Sequence, residues 1–240
     1  MTDLRTRYRR IVLKVSGESL GSHTPLDLDR MTEAAMAIAA VRGLGVTVTV
    51  IVGGGNIFRG VQAGAWGIER PLADAAGMAA TGVNALLLDG ILGRLGVPVQ
   101  IFSRGPCTGI GTPYNRENLR AALQDGHVAL LAGGMGVSGF STDVPAVHAA
   151  IDTAADVIIM AKHGVDGVYT ADPHVTPDAR FLTRLSATEA LERKLRVMDS
   201  SALTLARDHA KNIHVVPADH PNSVRLAVEG KEIGSVIDPW

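Results

Sequence analysis

A β-branched run, Val46-Thr47-Val48-Thr49-Val50-Ile51-Val52, passes without a linker into Gly53-Gly54-Gly55 and then Asn56-Ile57-Phe58-Arg59-Gly60. A short, near-continuous apolar run of this kind is the pattern of a strand buried on both faces. Such strands belong to parallel sheets that helices cover on both sides. The pattern recurs along the chain. Ile11-Val12-Leu13-Lys14-Val15 leads into Ser16-Gly17, and residues 128–132 lead into Gly133-Gly134. Helical stretches lie between: 29–42, ending at Gly43; 72–95, rich in Ala and Leu, with a possible break at Gly77 or Gly82; 116–124; and 144–153, with Pro145 in its first turn. Residues 97–102 and 154–160 read as further strands. This alternation predicts an α/β fold, a three-layer αβα sandwich around a mainly parallel central sheet.

Beyond Gly164 the pattern shifts to turns at 166–169 and 172–174, helices at 189–194 and 201–211, and closing strands at 214–216 and 235–237. No long linker or repeat interrupts the chain. One domain over 1–240 is therefore expected, with halves of about 1–160 and 161–240 meeting at a cleft.

Composition narrows the function. Aromatic residues make up only 4% against 46% hydrophobic, so the core must be aliphatic. The formal net charge is −1 with no basic run, so nucleic acid is not an expected partner. The single cysteine, Cys107, excludes an intrachain disulfide and a cysteine zinc site, and fits a reducing cytoplasm. Residues 1–10 are polar and basic without an apolar segment, unlike a secretory leader. No uninterrupted apolar run approaches the ~20 residues that span a bilayer, so no membrane is expected either.

Three glycines at a strand end leave bare backbone that a bulky anion can approach. Arg59 can clamp phosphate oxygens there, although glycines alone also make plain tight turns. Lys14 lies inside an apolar strand, where an unpaired ammonium is costly. At the strand tip it can neutralise a migrating phosphoryl group, with Ser16 and Gly17 supplying N–H donors; the other reading is a lysine snorkelling from a sheet edge. The loop 133–143 is a second glycine loop and ends in Ser141, Thr142 and Asp143. It can hold an acceptor phosphate or a base edge, and its last residues can equally cap a helix. Tyr169 can stack on a nucleobase near Asp172, or simply pack its own surface loop. Asp199, after Val197-Met198, reads locally as a helix N-cap. The histidines lack metal-ligand spacing. Neither a G-x-x-x-x-G-K-[ST] loop nor a G-x-G-x-x-G dinucleotide fingerprint is present, which excludes the usual P-loop and dehydrogenase accounts.

In order, these segments resemble the bacterial UMP kinases of the amino acid kinase superfamily, over nearly the whole chain. The specific pieces are Leu13-Lys14-Val15-Ser16-Gly17-Glu18, the stretch 53–60, the stretch 166–173, and Val197-Met198-Asp199 with Thr204-Leu205-Ala206-Arg207-Asp208. The resemblance implies an amino acid kinase-like fold, a cytoplasmic homohexamer, and Mg2+-dependent transfer of the ATP γ-phosphate to UMP. It implies a catalytic set of Lys14, Asp143 and Asp199. For ATP it implies Lys14, Ser16, Gly17, Gly55, Arg59, Lys162, His163, Tyr169 and Asp172. For the acceptor it implies Gly54, Asp74, Met135, Gly136, Ser141 and Thr142. Mg2+ is expected with ATP rather than on a protein site of its own.

Three departures bear on this expectation. The family loop typically reads Gly-Thr-Gly-Asn-Pro-Phe-Phe; here it is Gly134-Met135-Gly136-Val137-Ser138-Gly139-Phe140. This leaves room for a paralogous kinase acting on a modified pyrimidine nucleotide, a phosphonate or an acyl phosphate-type acceptor. The stretch 21–25 is shorter than in the family, which puts GTP control in question. His163 stands where many members carry Thr or Asn.

Overall fold

The structure is a computed structural model that describes residues 6–195, 197–220 and 222–240. Its elements are β1 (Arg10–Val15), α1 (Leu28–Gly43), β2 (Thr47–Val52), α2 (Gly60–Ala63), α3 (Arg70–Arg94), β3 (Val99–Ser103), β4 (Thr112–Pro113), α4 (Arg116–Gln124), β5 (Val128–Ala132), α5 (Asp143–Asp152), β6 (Val157–Lys162), β7 (Val168–Tyr169), β8 (Phe181–Leu182), β9 (Arg184–Ser186), α6 (Ala187–Glu192), α7 (Ser200–Asp208), β10 (Asn212–Pro217), α8 (Ser223–Val228) and β11 (Ser235–Asp238).

One sheet runs in the order β4-β3-β5-β2-β1-β6-β10-β11-β9. From β4 to β10 every neighbouring pair is parallel; β11 runs antiparallel to β10 and carries β9 beside it. β1 pairs with β2 on one side and β6 on the other. The chain builds outward from β1 in one direction, then crosses back to build in the other. In open α/β sheets ligands bind off the carboxyl ends of strands at such a reversal.

The alternation of side chains along the strands divides the core. Leu13, Val48, Val50 and Leu130 pack on one face against α1 and α3 through Ile38, Leu88 and Leu92. Val12, Ile51, Ala129 and Leu131 pack on the other against α4, α5 and α7 through Leu119, Val147 and Leu203. Because successive residues serve opposite faces, the run at 47–52 had to be apolar nearly throughout. Helix starts follow local chemistry. Asp27 Oδ1 accepts from the backbone N–H groups of Asp29 and Arg30 at the head of α1, and Asn115 caps α4 in the same way.

Helix α3 runs unbroken through Gly77 and Gly82. A Cβ on Gly82 would stand 2.7 Å from Ile110 Cδ1 and 3.0 Å from Cys107 Sγ, so the bare position admits the turn after β3. By length and composition α3 could cross a membrane, a property its scattered polar residues hide from a search for unbroken apolar runs. Ala80, Ala85, Leu88 and Leu92 bury one side of it, while Leu72, Val83, Leu86 and Leu87 stand exposed.

Some boundaries differ from expectation. The strand expected from 154 begins at Val157, because Ala154 takes a left-handed φ of 50° that ends the turn after α5. The helix expected through 211 stops at Asp208, and Ala210 takes φ 51° just beyond it. The short elements α2, α8, β4, the β7–β8 hairpin and β9 carry too few residues to show a period. The part of the expected non-leader segment at 1–5 lies outside the described residues.

His214 on β10 is buried, with Nε2 2.7 Å from the Ile233 carbonyl oxygen, to which it donates. Burial pushes its pKa below the ordinary value. The folded state therefore holds His214 neutral while the unfolded chain takes up a proton at about pH 6.5. Stability from this group is complete above that pH and is lost as pH falls. The urea midpoint is expected to drop between pH 7 and pH 5, and His214→Phe should make that drop shallower; an unchanged slope would remove His214 as its source.

Candidate active site

The distinctive residues meet at the carboxyl ends of β1, β2, β5 and β6. Lys14, the penultimate residue of β1, reaches Asp143 at the head of α5, with Nζ 2.7 Å from Oδ1. Both side chains are largely buried. The second carboxylate oxygen, Oδ2, accepts the backbone N–H of Asp199 at 3.0 Å. Lysine, aspartate and the start of α7 are thereby held in one cluster. Asp199 occupies the N-cap position of α7, yet its side chain makes no capping hydrogen bond. The local reading of Asp199 as a cap thus holds for position but not for the carboxylate, which borders the cavities on either side.

Lys162 ends β6 beside this pair. Burial foremost, and then the Lys14 ammonium, pull its pKa below the ordinary value, while Asp143 pulls it upward. Lys14 and Lys162 thus stand at the strand ends with the Asp143 carboxylate between them and Asp199 on the same cavity, where an ammonium can meet phosphoryl oxygens.

The glycine strand ends let backbone pack on backbone. A Cβ on Gly53 would stand 2.4 Å from the Gly17 N, and one on Gly17 would stand 2.3 Å from the Gly55 N. Only glycine permits the β1 and β2 tips to approach this closely. Together they floor a cavity of about 610 Å³ lined by Ser16, Gly17, Gly54, Gly55, Arg59, Asp74, Ser141 and Thr142. Arg59 reaches Glu18 Oε1 through Nη2 at 2.6 Å and donates from Nε to the Gly55 carbonyl at 3.2 Å. Both partners of that ion pair are about half exposed, so it contributes little to stability and leaves Arg59 available to a ligand. Ser16 Oγ accepts from Glu18 N at 3.3 Å, and Ser141 Oγ accepts from Asp143 N at 3.1 Å. Asp74, on α3, takes Arg70 Nε on Oδ1 at 2.6 Å and the loop amide of Gly139 on Oδ2 at 2.8 Å.

Two further cavities are present, of which the first shares Asp199 with the one above. One of about 540 Å³ is lined by Asp143, Lys162, Lys194 and Asp199. Another, of about 430 Å³, is lined by Gly164, Asp166, Tyr169, His174 and Asp219. Tyr169 packs edge-on against Phe181 with ring centroids 5.4 Å apart, as its surface-loop reading expects, while still facing this space. Asp172 is not among the residues lining it; its Oδ1 accepts the His174 N–H at 2.9 Å and shapes the loop. His163 Nδ1 lies 2.5 Å from Asp219 Oδ1, and Gly164 N donates to Asp219 Oδ2 at 2.9 Å. That backbone N–H, more than the imidazole, holds the Asp219 carboxyl below its usual pKa.

Gly136 and Met135 do not line the 610 Å³ cavity; the Met135 sulfur is turned beneath the loop, 3.4 Å from Arg104 Nη1. Sequence reasoning passed over Asp219, Arg70 and Thr81. Asp219 was accessible from its place just after a strand, the signal that picked out Gly53. Thr81 was not, because it reaches the Gly133 N–H, at 2.7 Å, only through the packing of α3. Among the described residues no group of three His, Cys, Asp or Glu side chains could hold a metal ion.

Comparison with known proteins gives this arrangement a family. The profile of the Amino acid kinase family matches residues 9–217. The chain belongs to that family. Its amino acid kinase fold is shared at high similarity by the UMP kinase structure from Bacillus anthracis, with a TM-score of 0.93 at 35% identity over 97% of this chain and 96% of that one. The UMP kinase of Ureaplasma parvum superposes with a TM-score of 0.91 at 33% identity, over 97% and 99%. A protein named uridylate kinase from Frankia casuarinae is 40% identical over 97% of this chain and 91% of its own length. Another, from Vibrio vulnificus, is 40% identical over 98% of each.

Removing one partner of a buried ion pair leaves the other charge uncompensated, at about 3–5 kcal/mol. Asp143→Ala, which strands Lys14 beside Lys162, is expected to lose stability of that order in urea unfolding. A loss below about 1 kcal/mol, the size of an exposed pair, would contradict the buried pairing.

Proposed function

We propose that this chain is a uridylate kinase that transfers the γ-phosphoryl group of ATP to UMP, giving UDP and ADP, as a step of pyrimidine nucleotide metabolism. The observation that carries the reading is the Lys14–Asp143 pair at the strand reversal, 2.7 Å apart beside glycine-lined strand ends. The names of the 40% identical relatives support UMP over another acceptor.

Phosphoryl transfer asks little covalent chemistry of a protein; positioning and charge neutralisation carry it. Lys14 and Lys162 would neutralise charge developing on the migrating group, with Asp143 holding Lys14 in its rotamer. The bare amides around Gly17 and Gly53–Gly55, with Ser16 and Arg59, would bind phosphates. Tyr169, Asp172 and His163 belong to the donor half, about 161–240. Gly54, Asp74, Ser141, Thr142 and the loop that includes Met135 and Gly136 belong to the acceptor half, about 1–160. Mg2+ brought with ATP would supply positive charge to its phosphates. Among the described residues no group of three ligands stands ready for it, and Asp199 and Asp143 would be the carboxylates beside that ion. A homo-oligomer, hexameric by family resemblance, is supported by the exposed apolar stripe of Leu72, Val83, Leu86 and Leu87 on α3. A cytoplasmic location is supported by the unbridged, buried Cys107.

An ADP-release assay across nucleoside monophosphates should show UMP as the preferred acceptor; turnover of another acceptor with none on UMP would overturn the assignment. Lys14→Ala should lower kcat by about 100-fold or more, the loss seen when one preorganised transition-state donor is removed. Unchanged turnover in a folded variant would remove Lys14 from the mechanism.

A further inference from the structure

Arg104 stands just after β3, outside the cavities already described, and its surroundings are unusual for a half-buried cation. Its guanidinium carbon lies 3.5 Å from the centroid of the Tyr114 ring. Nη1 points at Met135 Sδ at 3.4 Å, and Nη2 lies 3.3 Å from His148 Nδ1. Burial pulls its pKa down, though an arginine so placed remains charged. Behind both rings stands Asp152. Its Oδ2 accepts the Tyr114 hydroxyl at 2.5 Å and lies 3.3 Å from His148 Nδ1. The guanidinium is therefore satisfied by a π face, a thioether and an imidazole, with the carboxylate one group further back. Stacking on an aromatic face and a fixed planar fork are properties of arginine that lysine does not share.

What this cation touches is the acceptor loop. Gly133, Gly134 and Gly136 all adopt left-handed φ values, 86°, 56° and 81°. Three such glycines leave a segment that is costly to order. Arg104 meets it twice. Its carbonyl oxygen occupies the space of the missing Gly133 side chain, where a Cβ would stand 2.0 Å away. Its side chain takes hold of Met135, the one side chain between these glycines. Beyond that anchor the same loop delivers Val137, Phe140, Ser141 and Thr142 to the cavity and the Gly139 N–H to Asp74.

We infer that Arg104 is a positioning residue for the acceptor: by stacking on Tyr114 and gripping Met135 from beneath, it fixes where loop 133–142 presents its cavity-facing residues, and so sets affinity for the acceptor nucleotide without touching it. The inference rests on the uridylate kinase reading for the identity of that nucleotide. It assigns a role to Met135, which faces away from the cavity, and accounts for how a glycine-rich loop lacking the family's usual residues can be held in shape.

The test separates acceptor from donor. Arg104→Met should raise KM for UMP about ten-fold or more, leave KM for ATP within about two-fold, and leave kcat at saturating UMP within about three-fold. Arg104→Lys, which keeps the charge but not the stacked plane, should recover little of the UMP affinity. Met135→Ala should reproduce the effect, and the double variant should be no worse than the worse single one, because both remove the same contact. Backbone hydrogen exchange of the wild-type chain and Arg104→Met, read without substrate, should show faster exchange confined to 133–142. Equal rises in both KM values with exchange increased throughout the sheet would mean a merely structural role, and unchanged UMP KM with unchanged loop exchange would overturn the inference. If the wild-type chain does not turn over UMP, the functional reading fails, and loop exchange still decides the role of Arg104. If Arg104→Met does not fold, Met135→Ala carries the same measurements.

Discussion

An ammonium and a carboxylate brought together at the carboxyl end of the central strand of an aliphatic sheet are the constraint on which the site depends. Neither Lys14 nor Asp143 could be buried alone at reasonable cost. Their 2.7 Å pairing requires β1 and the head of α5 to sit side by side. That adjacency follows from the sheet order, in which α5 leads the chain back across to β6 on the far side of β1. Asp199 joins through its backbone N–H, so the start of α7 is tied to the same carboxylate. Charge neutralisation at the site and burial at the strand ends are thus served by one cluster.

Glycine has a different part at each strand end. At Gly17 and Gly53 it lets two strand tips approach until backbone atoms fill the space of absent side chains. At Gly133, Gly134 and Gly136 it permits left-handed turns in the loop that borders the cavity. The first arrangement is rigid because backbone packs on backbone. The second gains order from outside, through Thr81, Asp74 and Arg104. One side of the cavity is therefore a preformed surface, and the other a loop whose shape depends on its supports.

Much of the fold was legible because the patterns were long. The all-apolar stretch at β2 and the Ala-rich helices have enough residues to declare their periods, and helix starts carried their own caps at Asp27 and Asn115. The elements that escaped, such as α8 and the β7–β8 hairpin, are too short for that. Boundaries slipped where Ala154 and Ala210 take left-handed conformations that nothing in their side chains signals. In the site, Lys14 stood out as a charge inside an apolar strand and Gly53–Gly55 because they follow one directly, with Arg59 close behind, whereas Asp199 read locally as a cap and was singled out only through the family resemblance. Thr81 and Arg104 did not stand out, since they act through partners supplied by other elements.

The order of residues along the chain was enough to decide the layer architecture, the position of the glycine loops at the strand ends and the lysine at a strand tip, because all of these are written in local spacing and local chemistry. Which groups face one another was decided only by the folded sheet. Asp199 looks like an ordinary cap until its side chain is found making no capping bond at the border of two cavities, and nothing near Met135 in sequence shows that its sulfur lies 3.4 Å from Arg104. The physical reason is the same in both cases: a side chain's role depends on what the rest of the fold places within a few ångströms of it, and that proximity is created by strand order and helix packing rather than by neighbours in sequence.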